Sequence, residues 1–130
     1  MFKIQPIQSK DEQLNVAKSC GCEYREGYFA YAMRDNETDD VMGFSQFEIK
    51  EDGGYISDIC PRIGIDDFEA MFILGRATMN FIDLCGAHIA YAPHTAGDVT
   101  LMLSLGFKEA DGVYVADMTD MFNGKCHADK

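Results

Sequence analysis

Carboxylates, thiols and imidazoles that fall close together are the usual raw material of a catalytic or metal site, and this chain offers few such groupings. The strand-like segment YISDIC carries Asp58, a carboxylate that in such a setting can take a proton from an amine directly or through water. On the pleat opposite Ile59 it could equally face solvent. Glu48 is a second carboxylate of the same kind. Cys20-Gly-Cys22 and Cys126-His127 supply zinc-ligand types, but C-x-C and adjacent C-H are tighter than ordinary structural zinc spacings, so no metal is expected. Cys60, His94 and Asp58 hold the parts of a nucleophile set, although a thiol at a strand end is more often inert and buried. The densest group opens GIDDFEAMFILGRATMNFIDLCG, residues 64–86, where Asp66, Asp67 and Glu69 precede a long apolar run.

Those acids have an account that needs no ligand. With Asp66 as N-cap, Glu69 three residues later reaching back and Ile65 as the preceding apolar residue, they form a capping box. Such a cap contributes about 0.5 to 2 kcal/mol, and acids suit the positive end of a helix dipole.

The elements that must hold these residues follow from periodicity. FKIQPI reads as a short strand near a sheet edge, interrupted by Pro6. A helix follows, capped by Ser9 or Asp11, with Leu14, Val16 and Ala17 as its apolar stripe and Gly21 as its stop. YFAYAMRD, VMGFSQFEIK and YISDIC read as an antiparallel meander turned at NETDD and EDGG and ending at Pro61. The long helix after it is apolar over so wide an arc that it must be covered on two sides. Gly86 ends it, HIAYAP is a strand, GDVTLMLSLGF a second helix and VYVADM a last strand. The order β-α-β-β-β-α-β-α-β predicts an α/β (α+β) fold: a mixed sheet with an antiparallel N-terminal meander, a crossover at the central helix and helices on both faces.

Composition bounds the partners. The chain has 130 residues, 47% of them hydrophobic, which predicts one domain with a core over 1–118 and a polar tail over 119–130. Twenty-two acids against 11 bases give a net charge of -11, which argues against nucleic acid and anionic membranes as partners. MFKIQPIQSKDEQ lacks a basic stretch followed by an apolar core, so the expectation is a soluble, cytoplasmic protein. Five cysteines at irregular spacing predict reduced thiols.

The element order, and above all LMLSLGFKEADGVYVADM with its helix, Gly-Phe and final strand, resembles the GNAT superfamily of acyl-CoA-dependent N-acyltransferases over residues 1–118. The resemblance implies transfer of an acetyl or other acyl group from acyl-CoA to an amine of a small molecule or protein. Oligomeric state stays open between monomer and homodimer. Asp58 would be the proton acceptor, and Ile59, Cys60, Arg62, Asp67, Phe68, Glu69, Ala70 and Met71 would surround the cofactor. The family's cradle for the CoA pyrophosphate is a Gln or Arg, two residues, a Gly, one residue, then Gly or Ala, at a helix N-terminus where bare N-H groups meet the anion. Counting back from Gly86 puts Asp66, Glu69 and Met71 at its key positions. The Tyr that protonates the thiolate in many members is Met102 here, and a thioether has no proton to give. The strand that offers N-H groups to the pantetheine arm ends at Pro61, which has none. The alternative expectation is a binding or interaction module of the same fold that no longer uses CoA. Arg62, Arg76 and Lys108 are the cations that could reach the phosphates in its place.

Overall fold

The computed structural model describes residues 2–122. In chain order the elements are β1 (Phe2–Pro6), α1 (Lys10–Ser19), β2 (Phe29–Asp35), β3 (Val41–Lys50), β4 (Gly53–Pro61), α2 (Phe68–Leu84), β5 (Ile89–Ala92), α3 (Val99–Ser104), β6 (Lys108–Ala110) and β7 (Val113–Asp117). They build a seven-stranded sheet in the order β1-β2-β3-β4-β5-β7-β6. Neighbours pair antiparallel except β4 and β5, which run parallel. The expected mixed sheet, meander and crossover are all present.

One strand escapes the apolar alternation. All three residues of β6 are exposed, so it carries no hydrophobic signal. Its signature is the turn: Asp111 and Gly112 both take positive φ, 52° and 86°, and join Ala110 to its partner Val113 as a two-residue hairpin.

The helices divide between the faces. Ser9 caps α1 by accepting the Glu12 N-H, and Val16 and Ala17 pack on Ala30, Ala32 and Phe44. Leu14, expected in that stripe, is 40% exposed; Gln13 is buried instead and donates its Nε2 to the Ile7 carbonyl at 2.6 Å. On the other face α2 lays Ala70, Met71, Leu74, Thr78, Met79 and Ile82 against the sheet. Gly75 gives way to α3's end: a Cβ there would sit 2.6 Å from Leu105 Cδ1. The sheet and α3 thus cover two sides of α2, and Ile73 and Leu84 lie on its exposed remainder. Between α2 and β3 the buried Ser45 and Thr78 hydroxyls bond each other at 2.8 Å, and Thr78 also donates to the Leu74 carbonyl.

The capping box is corrected by one residue. Asp67, not Asp66, is the N-cap, in extended backbone with its carboxylate accepting the Ala70 N-H at 3.0 Å. The left-handed Gly64 and the Ile65 N-H bond to the Arg62 carbonyl turn the chain here and delay the helix, which leaves Glu69 one position early for a reciprocal bond.

Candidate functional site: the parting of β4 and β5

β4 and β5 share two registered pairs, Gly54 with Ala90 and Tyr55 with Tyr91, and then diverge. The divergence is prepared on β4's other edge. Gln46 pairs with Asp58 and Phe47 with Ile56, so Ser57 is an extra residue that bends β4. Past this bulge the sheet opens between β4 and the chain leaving β5.

The opening is filled by the chain itself. The loop from β5 to α3 turns back so that the Ala96 carbonyl accepts the Ile59 N-H at 2.7 Å. A Cβ on Gly97 would lie 3.1 Å from the Ile59 carbonyl oxygen, so this residue seats the loop against the strand. Two residues on, β4 ends in Pro61, which has no N-H. The strand edge at the parting is therefore already paired at Ile59 and without a donor at Pro61.

On the α2 side of the sheet lies a hollow of about 200 Å³ lined by Ile59, Pro61, Ile65, Asp66, Asp67, Phe68, Met71, Asp98 and Leu101. Of the sequence candidates, Ile59, Asp67, Phe68 and Met71 meet here, joined by Asp98, which the sequence did not single out. Asp98 caps α3, accepting the Leu101 N-H at 3.3 Å, as Asp67 caps α2. The hollow thus sits at two helix starts, in each of which a side-chain carboxylate takes one N-H group. Ala70 is fully buried behind it, while Glu69 and Arg62 point to solvent. Arg76 lies over the Phe72 and Phe122 rings, and Lys108 is on the outermost strand, β6.

Asp58 faces the other way, toward α1, and its side chain is 15% exposed. Its Oδ2 accepts from Gln46 Nε2 at 3.0 Å and from the Ser57 hydroxyl at 2.9 Å, with Arg25 Nε 3.5 Å away. Gln46 is fully buried and binds the loop after α1 twice, donating to the Glu23 carbonyl and accepting the Arg25 N-H. Asp58 therefore belongs to a network that ties this loop to the sheet.

The same loop brings Cys22 against β4 beside Cys60, with Cα atoms 7.6 Å apart. That separation is wider than a disulfide spans, so the contact does not overturn the expectation of reduced thiols. Thirty-eight residues separate the two in sequence, so spacing could not announce their meeting. His94 packs against Tyr114 with tilted rings whose centroids are 4.9 Å apart. Cys20 stays free and buried, and burial pushes its thiol up to about 11. Cys126 and His127 lie outside the described residues; among those described, no cluster of three or more metal-ligating side chains forms.

Beside the Asp58 network a second hollow, of about 350 Å³, opens toward solvent between Arg25, Tyr28, Glu48, Tyr55, Ser57 and Tyr91. Tyr28 donates its hydroxyl to Glu48 Oε2 at 2.8 Å, which raises the Tyr28 pKa above the ordinary phenol value. Tyr55 and Tyr91, partners in the β4–β5 pairing, stack with centroids 5.0 Å apart. Sequence reasoning noticed Glu48 but not the tyrosines, whose meeting depends on a parallel register that periodicity does not encode.

A mixed sheet that parts between two parallel strands, with a long crossover helix beginning at the parting, defines an α+β class of fold. More particularly, the fold is that of the GNAT N-acetyltransferases, as solved structures establish. The ribosomal-protein-S18-alanine N-acetyltransferase of Escherichia coli superposes with a TM-score of 0.70 at 14% identity, covering 91% of this chain and 94% of that one. PaiA N-acetyltransferase of Thermoplasma acidophilum, solved with coenzyme A, gives 0.65 at 9% identity, covering 88% and 99%. Tetrahymena GCN5 gives 0.67 at 7% identity, covering 89% and 96%. No protein-family model matches the chain, and a search of curated proteins finds no match.

Acyl-CoA, the group this fold implies, does not fit the residues present. Its pyrophosphate would meet Asp66, Asp67 and Asp98 at helix starts already capped, and its pantetheine arm a strand edge already bonded. Among the described residues, no helix is long and apolar enough to cross a membrane.

Proposed function

We propose that this chain is a GNAT-fold binding module that works without acyl-CoA and takes its ligand in the hollow on the α1 side of the parted strands. The observation that carries the reading is the 2.7 Å bond from the Ile59 N-H to the Ala96 carbonyl, which occupies the edge a pantetheine arm would use. The carboxylates of Asp66, Asp67 and Asp98 support it, since anion binding at a helix start needs free N-H groups and no competing negative charge. So does Met102, fully buried where many relatives of the fold carry a tyrosine.

The test is direct binding of acetyl-CoA, by calorimetry and by the thermal stabilisation that ligand linkage produces. The expected result is no heat and no shift at millimolar acetyl-CoA. Micromolar binding would overturn the reading.

A second reading has its own support: the fold spans about nine-tenths of the chain in relatives solved with CoA or acetyl-CoA, and β4 and β5 still part. On that reading the chain is an N-acyltransferase acting on a small-molecule or protein amine. Release of free thiol from acetyl-CoA in the presence of an amine panel would establish it.

A further inference from the structure

A third hollow, of about 700 Å³, opens beyond the end of β1, between the first turns of α1, the loop that follows α1 and the start of β2. We propose that it binds a neutral fused-ring aromatic molecule carrying one O-H or N-H donor. It shares only Tyr28 with the hollow at the strand parting, so the site stands whether or not the chain uses acyl-CoA.

The donor is called for by Gln13. This side chain lines the hollow yet is only 8% exposed. Its Nε2 is engaged by the Ile7 carbonyl, while no donor among the described residues reaches its Oε1. A buried amide oxygen without a partner is uncommon, and this one borders a cavity from which a ligand can supply the missing bond.

The rings are called for by the opposite wall. Phe29, Tyr31, Phe47 and Phe81 pack together with centroids 5.6 to 5.9 Å apart, and all four line the hollow. Phe29 is nevertheless 49% exposed, so the cluster is left half-covered on this side. A flat ring stacked or set edge-on against it completes the packing. The volume lies within the range of small-ligand sites and has room for two or three fused rings, and a mostly apolar lining with few polar groups is their usual composition.

Neutrality follows from charge. Lys10 and Glu26 are the charged side chains of the lining, and they bond each other at 2.7 Å. The wall therefore presents no uncompensated charge, in a chain whose net charge is -11. A charged ligand would lose hydration here without gaining a counter-charge. The Lys10–Glu26 pair is exposed and of the weak surface kind, so it does not bar entry.

The probes are 2-naphthol, its methyl ether, which keeps the rings and loses the donor, and 2-naphthoate, which adds a charge. Each is titrated into the full chain and followed by amide-resolved NMR. 2-Naphthol should bind saturably below about 1 mM, with shifts centred on Gln13, Phe29 and Tyr31, and about tenfold more tightly than either other probe. Gln13→Met removes the acceptor and should bring 2-naphthol and its ether to within about twofold of each other, a loss of discrimination that general destabilisation does not produce. Phe29→Ala, at a half-exposed position, should weaken both about fivefold or more, and it keeps the test decisive if Gln13→Met does not fold. No saturable binding at about 1 mM, equal affinity of the wild-type chain for the three probes, or shifts centred on Tyr55 and Tyr91 would overturn the proposal. So would discrimination that survives in Gln13→Met, or affinity unchanged by Phe29→Ala.

Discussion

Replacing Asp66, Asp67 and Asp98 together by Asn separates charge from shape at the hollow beneath α2. Asn caps a helix about as well as Asp, so both caps at Asp67 and Asp98 are kept. Stability should stay within about 1 kcal/mol, near 4 °C in Tm for a chain of this size. The electrostatic change is larger. A phosphate charge about 6 Å from one carboxylate is repelled by about 0.7 kcal/mol in water-like dielectric, and screening at about 0.15 M salt halves this. Summed over three carboxylates and two phosphate charges, the relief is about 2 kcal/mol, or near 30-fold in affinity. At about 10 mM salt it rises to about 3 kcal/mol, or some 200-fold. The assay is calorimetric titration of CoA into both proteins at the two salt concentrations. Wild type should give no measurable binding, and the triple variant weak binding that strengthens as salt is lowered. A folded triple variant that binds no better than wild type would refute the charge argument and leave the capped helix starts and the bonded β4 edge as the barrier.

Other outcomes follow from particular contacts. Thr78→Val strands the buried Ser45 hydroxyl and should cost about 1 to 3 kcal/mol, read as a lower urea midpoint with unchanged slope. Gly54→Ala drives a methyl into Ile82 beside the β4–β5 pairing and should cost about 1 to 3 kcal/mol; pairing it with Ile82→Ala should cost less than the sum of the two single changes, and strict additivity would contradict the contact. Asp35, Asp39 and Asp117 have carboxyl pKa values lowered by the Glu37 and Thr38 N-H groups, by Lys3 and by Thr119 respectively. Their stabilisation is present above the unfolded value of 3.8 and is lost as pH falls through the lower folded values, so Tm should decline below about pH 4. A Tm that rises there would reverse the sign. Iodoacetamide should label Cys85 in the native protein and spare Cys20 until unfolding, as peptide mass mapping would record.

Periodicity made the large elements of this fold legible. α2 was visible as an apolar run with acids before it, and the meander as alternating segments between polar turns. The cap of α2 was misplaced because Asp66 and Asp67 satisfy the same local chemistry, and the left-handed turn at Gly64 just before them chooses between them. β6 was missed because its side chains all face water, although Asp111-Gly112 carried the hairpin signal. The acidic helix start was recognisable from composition alone. Asp98's arrival beside it was not, because that needs the packing of α3 against α2. The Tyr55–Tyr91 stack and the Cys22–Cys60 contact are likewise products of register and loop path, which a linear pattern does not contain.

The Ile59–Ala96 bond also bears on how the molecule comes apart. Two registered pairs join β1 through β4 to the β5-β7-β6 unit, and this bond is a rivet beyond them. β3 and β4, by contrast, pair from Gly43–Pro61 to Lys50–Gly53. The sheet therefore carries a tear line, spanned on one side by α2. Native-state hydrogen exchange would find it in the Ile59 amide, which should exchange earlier than the amides shared by β3 and β4.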